Sequence, residues 1–112
     1  MSYTNLKYQL KIKIYKDTPS FGPGVVEIME LVEETGKLSE AYRIMGLSSS
    51  KGWKIIKRAE DDLGFPLIIS VVGGNGGGSS ELTKEGIDIL NRYQSFINEV
   101  KIDADKAFKK YF

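Results

Sequence analysis

Five cations lie between Arg43 and Arg58, a stretch that contains no acidic residue. Lys51, Lys54, Lys57 and Arg58 are spaced three, three and one residues apart, so a helix would present them on one side. Cations arranged in this way bind the phosphates of a nucleic acid, and donors in the first turn of such a helix reach base edges. The alternative is a solvated basic face without a ligand. The elements around the run distinguish the two interpretations.

Composition excludes several kinds of catalytic and metal site. The 112 residues include no cysteine and no histidine, which removes disulfides, Cys/His zinc sites, cysteine nucleophiles and histidine bases. Adjacent acids such as Glu33 and Glu34 point in different directions on a helix and indicate neither catalysis nor a metal. No apolar run approaches the roughly 20 residues of a membrane span. We therefore expect a cytoplasmic protein with no enzyme activity, no cofactor, no metal and no membrane partner.

The elements before the basic run are predicted to be two helices. Apolar spacing from Val25 to Thr35 predicts a first helix that ends at Gly36. A short helix follows from Leu38 to Met45, with Ser39 as its cap and with inward-facing Ala41, Ile44 and Met45.

A third helix carries most of the cations. Gly46 supplies a corner, and Ser48 caps a helix that runs to about Asp62. This arrangement is typical of a helix-turn-helix, whose second helix enters the major groove of DNA. Trp53 either stacks on a base or covers the edge of the core, and its neighbours favour the core.

Strands complete the predicted fold, which is α+β and mainly α. Strict alternation predicts a half-buried strand from Leu6 to Lys16. Apolar residues from Leu67 to Val72, a glycine-rich tip and a return at Glu81 and Leu82 predict a hairpin. The tip is not a phosphate loop, because no lysine follows its glycines. Residues 1–82 would thus form a winged helix-turn-helix domain.

Residues 83–112 are predicted to form one long helix, capped by Thr83. Its apolar residues recur at intervals of three and four, which is typical of a helix that packs on a second copy of itself. The predicted dimerisation residues are Leu90, Tyr93, Ile97, Val100, Ala104 and Ala107. Two alternatives stay open: the segment from Val100 to Phe112 folds back on its own chain, or it was cut from a longer protein.

Four short motifs resemble the N-terminal DNA-binding domain of the molybdate-responsive ModE regulators. They are Phe21-Gly22-Pro23-Gly24, the stretch GKLSEA at 36–41, Gly46-Leu47-Ser48 with Trp53, and GGNGGG followed by LTKEG at 82–86. The helix-turn-helix is also similar to that of the LysR-type regulators. The resemblance implies a dimeric winged helix that reads a palindrome. It does not imply molybdate binding, because in the full-length regulators that function belongs to further C-terminal domains.

The chain departs from the ModE pattern at two places. Family members usually carry arginines in the wing, where this chain has Val71, Val72 and Asn75. An aromatic and a basic residue often open the recognition helix, where this chain has Ser49 and Ser50. These differences predict a different operator and a wing without its usual cations.

The leading hypothesis is a transcriptional regulator that binds a palindromic double-stranded DNA operator as a homodimer. The predicted DNA-binding residues are Ser49, Ser50 and Lys51 for bases, Lys54, Lys57 and Arg58 for phosphates, and also Arg43 and Asn75. The alternative hypothesis is a protein-interaction module, with the last helix as its working surface and weak or no DNA binding.

Overall fold

The computed structural model describes residues 2–71 and 78–112. Its elements, in chain order, are α1 (Pro23–Thr35), α2 (Leu38–Met45), α3 (Ser49–Leu63), β1 (Ile68–Val71), β2 (Ser79–Leu82) and α4 (Lys84–Tyr111). The fold is α+β and mainly helical. This result confirms the predicted class and the predicted order of three helices, a hairpin and a long helix.

Local capping residues set the helix ends largely as the sequence predicts. The glycines after α1 and α2, Gly36 and Gly46, adopt left-handed backbone angles with φ of 75° and 69°, which a residue without a Cβ adopts at low cost. The Thr83 hydroxyl accepts the N–H of Gly86 at 2.8 Å and caps α4. The predicted cap at Ser39 is wrong: α2 begins at Leu38, and its N-cap residue, Lys37, makes no side-chain capping bond.

The core forms where α1 meets α2, α3, β2 and the first turns of α4. Its largest fully buried side chains are Phe21, Ile28, Met29, Leu67 and Leu90. The Phe21 ring meets the Tyr93 ring edge to face, with centroids 5.4 Å apart. This core fixes α1 behind α3, which leaves the far side of α3 to solvent.

The hairpin is antiparallel, with Ile68 opposite Leu82 and Val71 opposite Ser79. Its return strand is tied to the end of α1 by a hydrogen bond of 2.8 Å from the Ser80 N–H to the Gly36 carbonyl. The hairpin therefore has a fixed position relative to the three helices.

The N-terminal residues do not form the predicted strand. Between residues 6 and 16 the structure has a single isolated bridge, Ile14 to Phe21, and most of these side chains are exposed. The segment instead lies extended along α4. Tyr8 stacks on Phe108 with ring centroids 4.9 Å apart, and the Tyr93 hydroxyl donates to the Ile12 carbonyl at 2.8 Å. We call residues 2–13 the N-terminal arm.

The arm and α4 make the molecule elongated, with extents of 60 × 27 × 21 Å. A helix of 28 residues is roughly 42 Å long at 1.5 Å per residue. In the described ranges, no helix combines the length and apolar character that crossing a membrane requires. The same residues contain no group of three or more acidic side chains placed to hold a metal ion.

Candidate nucleic-acid interface

One side of α3 packs against the core, so its polar side faces solvent. The hydroxyl of Ser48 accepts the N–H of Lys51 at 3.1 Å and starts the helix where the sequence predicts. The buried stripe is Gly52, Ile56, Ala59 and Leu63. Six of the residues predicted to bind DNA lie together in solvent on the remaining surface, which we call the outer face of α3: Ser49, Ser50, Lys51, Lys54, Lys57 and Arg58.

Ion pairs divide the predicted cations into two groups. Lys57 approaches Asp61 at 3.2 Å. Arg43, which lies on α2, binds Glu40 through two hydrogen bonds of 2.7 and 3.1 Å. Both pairs are exposed, so each contributes little to stability. No carboxylate of the described residues pairs with the other three cations, which are Lys51, Lys54 and Arg58.

The Arg43–Glu40 pair also changes the titration of both groups. The hydrogen bond from Arg43 lowers the pKa of the Glu40 carboxyl, and the same hydrogen bond raises the pKa of the Arg43 guanidinium. Glu40 is therefore ionised at neutral pH and holds Arg43. A phosphate would have to displace this carboxylate before it could use Arg43.

Trp53 does not cover the core, which makes that prediction wrong. Its side chain is 59% exposed. The residue beside it, Gly52, points at the core, and a helix separates neighbours by 100°. Ile44 was also predicted to face inward and is 50% exposed. Exposed apolar side chains therefore accompany the cations around the helix-turn-helix.

The turn between α2 and α3 is held by backbone hydrogen bonds and by close packing of the two helices. The Gly46 N–H bonds to the Arg43 carbonyl at 3.1 Å, and the Leu47 N–H bonds to the Tyr42 carbonyl at 2.8 Å. A Cβ placed on Gly52 would lie 2.2 Å from the Tyr42 ring. Helices α2 and α3 approach closely because Gly52 has no side chain and the Tyr42 ring fills the space beside it. This contact fixes the angle at which α3 is presented.

Two carboxylates near the end of α3 hold the neighbouring segments. The carboxylate of Asp62 accepts the N–H groups of Lys16, Asp17 and Thr18 at 2.8, 2.9 and 2.8 Å. These bonds, the first from Lys16, lower the pKa of Asp62. On the other flank of α3, Glu60 accepts the Leu67 N–H at 2.7 Å, at the start of the hairpin.

Sequence reasoning did not predict these two roles. The helix macrodipole disfavours acids near a C-terminus, and the cluster of Glu60, Asp61 and Asp62 stands there. The unfavourable position of these acids was the one sequence signal for their roles, because carboxylates near a helix C-terminus need stabilising partners. The structure supplies backbone N–H groups for two of them and Lys57 for the third.

The described part of the hairpin carries no cation. Its two strands read IISV and SSEL, with Glu81 as their one charged residue. Asn75, which was predicted to contact DNA, lies outside the described residues. Any cations that bind a nucleic acid must therefore come from α3 and from its other neighbours.

The structure separates the predicted dimerisation residues. Leu90 and Tyr93 are 1% and 6% exposed and belong to the core of their own chain. Ile97 lies beside the N-terminal arm. Val100 and Ala104 are half-buried and Ala107 is exposed.

The arm is anchored to the distal part of α4. The Tyr8 hydroxyl donates a hydrogen bond to the Asp105 carboxylate, and this bond raises the pKa of Tyr8 to about 12. Arm residues therefore occupy one side of the helix that was predicted to be free for a partner.

Two curated proteins are similar to this chain. "Molybdenum transport protein ModE" of Azotobacter vinelandii is 27% identical over 85 residues, which are 76% of this chain and 32% of that protein. The protein of the same name from Herbaspirillum seropedicae is 29% identical over 63 residues, 56% of this chain and 23% of that protein. The chain thus spans about a third or less of the length of these relatives. No family model matches it.

The two matches support the ModE-like character that the motifs indicate. Similarity to the LysR-type regulators stays a prediction.

Proposed function

We propose that this chain is a winged helix-turn-helix protein that binds double-stranded DNA and regulates transcription as a homodimer. The observation that carries the proposal is the group of unpaired cations on the outer face of α3, which are Lys51, Lys54 and Arg58. The helix that bears them follows a hydrogen-bonded turn and is capped at Ser48. The resemblance of the helix-turn-helix motifs to the DNA-binding domain of ModE regulators adds support. Molybdate is not an expected ligand of these residues.

The first turn of α3 would enter the major groove. Ser49, Ser50 and Lys51 would then reach base edges, while Lys54 and Arg58 would bind phosphates. Exposed Trp53 offers an apolar surface for a thymine methyl group or a sugar.

Two further cations would join on binding. Lys57 and Arg43 make exposed ion pairs that are weak in water. A DNA phosphate can replace either carboxylate at small cost, because the exchanged partners are both anions. The β1–β2 hairpin would serve as the wing and contact the backbone through N–H groups and Asn75.

The proposed homodimer uses the apolar edge of α4 beside the stripe that the arm covers. Phe96, Val100 and Ala107 lie within about 40° of one another around the helix, whereas Ala104 lies nearer to the arm-covered Ile97. Phe96 is 44% exposed. The arm lies against the face that carries Ile97 and Phe108. A second α4 packed on the edge that carries Phe96 would place two copies of α3 for successive major grooves.

The DNA proposal is tested by selecting bound duplexes from a random pool and measuring their affinity against salt. A palindrome with half-sites about 10 base pairs apart is expected. Each phosphate neutralised should contribute a log–log slope of about −0.9, so Lys54→Ala should reduce the slope by about that amount. Lys54→Glu should abolish binding. Lys106→Glu, with the same change of charge on distal α4, should bind normally; equal effects of the two variants would contradict the proposal.

The dimer proposal is tested by sedimentation velocity. Phe96→Glu places a charge on the proposed contact face and should give monomers. Ile102→Glu, on the opposite side of the same helix and 58% exposed in the wild type, should leave the dimer intact. A dimeric Phe96→Glu variant would exclude this face.

A further inference from the structure

A cleft between the N-terminus of α1 and the outer face of α3 contains cations from two separate segments. Lys54 and Arg58 line it from α3, and Lys13 lines it from the end of the arm. The cleft has no acidic residue among the residues that line it. Arg58 also borders a neighbouring depression that contains Asp17, Asp61 and Asp62, but none of the three cations makes an ion pair with a carboxylate of the described residues. A cleft lined by three cations and no acid favours an anionic ligand.

The isolated bridge places Lys13 at the helix N-terminus. Ile14 and Phe21 exchange two backbone hydrogen bonds of 2.7 and 3.2 Å, so the residues beside them, Lys13 and Gly22, lie together. A Cβ on Gly22 would be 2.8 Å from the Lys13 Cγ. The lysine stem therefore passes directly over the glycine that precedes α1.

The first turn of α1 has donors with no acceptor in the helix. Pro23 has no N–H, and the Val26 N–H bonds to the Gly22 carbonyl at 3.0 Å, which leaves the N–H groups of Gly24 and Val25 without an intrahelical acceptor. No acid lies in this turn, and no side chain caps it. The space beside Gly24 is open within 4 Å of the position that a Cβ would take. An anion can therefore approach the positive end of the helix.

A buried hydroxyl supports the same conclusion independently. Ser20 lines the cleft, and its hydroxyl oxygen has no hydrogen-bond partner. It is the single buried side-chain oxygen or nitrogen of the described residues in that state. Buried polar groups are normally satisfied. Because this oxygen is covered, the Ser20 side chain would have to rotate toward the cleft to donate to a bound phosphate.

We infer that this cleft is a phosphate site that binds one phosphodiester group of the DNA backbone. The inference rests on the proposed function and extends it. Lys54 and Arg58 belong both to the cleft and to the DNA-facing side of α3, while Glu60 holds the hairpin on the opposite flank. The α3 helix would lie in the major groove, with the hairpin toward one DNA strand and the cleft toward the other DNA strand. Lys13 then replaces charge that the hairpin lacks.

The test compares Lys13→Ala with Lys11→Ala on the selected duplex. Both lysines lie on the arm, but Lys11 does not line the cleft. A lost phosphate contact should reduce the log–log salt slope by about 0.9 and the affinity about fivefold at 0.15 M salt. Lys13→Ala should show both changes and Lys11→Ala neither. A duplex with one neutral methylphosphonate at the contacted position should bind wild type and Lys13→Ala with equal affinity.

Ser20→Ala separates ligand binding from a role in folding. Because it removes a buried hydroxyl that has no partner, its melting temperature should equal or exceed that of the wild type. Its DNA affinity should fall. A variant that loses stability and keeps its affinity would contradict the inference.

Three other outcomes have distinct meanings. If Lys54→Glu abolishes binding while Lys13→Ala and Lys11→Ala behave alike, the inference is wrong and the proposed function stands. If the wild type binds no duplex, both fail. If inorganic phosphate raises the melting temperature of the wild type but not of Lys13→Ala, at equal ionic strength and without any effect of Lys13→Ala on DNA affinity, the cleft takes a free anion instead.

Discussion

Replacing Gly52 by alanine should destabilise the protein, although alanine is the better helix former. Gly52 lies inside α3, where alanine would contribute about 1 kcal/mol of helix propensity. Its Cβ, however, would fall 2.2, 2.4 and 2.7 Å from three carbons of the Tyr42 ring. Ordinary contacts are more than an ångström longer than the shortest of these, and Tyr42 is buried and cannot swing freely.

The two effects oppose each other, and their sizes decide the sign. Overpacking of this kind costs typically 1–3 kcal/mol, and the very short contact with a ring points to the upper part of that range. After the helix-propensity gain, the expected loss of unfolding free energy is about 1–2 kcal/mol. For a chain of this size the melting temperature should fall by roughly 4–8 °C.

Urea denaturation followed by circular dichroism measures the loss, and Gly24→Ala is the matched control. Gly24 is also helical, but its Cβ would meet nothing within 4 Å, so that variant should gain about 0.4–1 kcal/mol. In the double variant Tyr42→Ala/Gly52→Ala the clash disappears, and its cost should be smaller than the sum of the single costs by about 1 kcal/mol or more. A Gly52→Ala variant as stable as the wild type, or strict additivity, would refute the reasoning.

Three further predictions concern single hydrogen-bonding groups. Thr83→Ala removes the cap of α4 and should lower the unfolding free energy in urea by about 1–2 kcal/mol. Because folding lowers the pKa of Asp62, its contribution to stability is present above the unfolded pKa of about 3.9 and is lost as the pH falls through the folded value. Asp62→Asn should therefore flatten the acid limb of a stability–pH curve measured by urea midpoints. The Tyr8 phenol should titrate near pH 12 by ultraviolet absorbance, and Asp105→Asn should return it toward about 10.

Each of these predictions has an outcome that contradicts it. Unchanged stability in Thr83→Ala would mean that the cap contributes nothing. If the stability of Asp62→Asn falls with decreasing pH as steeply as that of the wild type, the three backbone hydrogen bonds to Asp62 do not cause the acid limb. A tyrosine titration that is identical in Asp105→Asn would show that the arm does not hold Tyr8 against α4 in solution.

The parts of the fold that sequence predicted well depend on neighbouring residues. Ser48 and Thr83 cap helices through bonds to residues three positions later. Gly36, Gly46 and Gly64 end helices through their own backbone angles. A short window of sequence contains all of this information, so the helix-turn-helix, the hairpin and the long helix were placed within a few residues.

The N-terminal arm shows what alternation cannot decide. A period of two indicates an extended chain, because both a strand and an arm place alternate side chains on opposite sides. Pairing needs a second strand, and the sheet of the described residues consists of β1 and β2 alone, which pair with each other. Tyr8 and Ile12 instead find their partners on α4, 97 and 81 residues away along the chain. Contacts between residues so far apart in the sequence cannot be detected in a local sequence pattern.

The candidate site was predicted as a set of residues, but not as an electrostatic surface. All four helical cations after Ser50 are exposed as their spacing indicates. Which cations are free of ion pairs was not predictable from spacing: Lys57 pairs with Asp61 one turn later. Arg58 has Asp62 at the same spacing but does not pair with it, because Asp62 accepts the N–H groups of residues 16–18. The exposure of Trp53 followed from which of two neighbours, Gly52 or Trp53, fits against Tyr42. That depends on the packing of α2 on α3.

Charge placement explains how a hairpin without cations is compatible with DNA binding. Near the end of α3, Glu60 fixes the hairpin on one flank and Asp62 fixes residues 16–18 on the other. Both acids are thereby occupied by N–H groups of the protein backbone. The segment that Asp62 holds continues backward to Lys13, so one carboxylate positions a cation that it does not neutralise. Removing Asp62 should therefore weaken DNA binding through Lys13 rather than strengthen it, although the substitution deletes a negative charge. A rise in affinity on Asp62→Asn would mean that simple charge repulsion, and not the position of the segment, controls this flank.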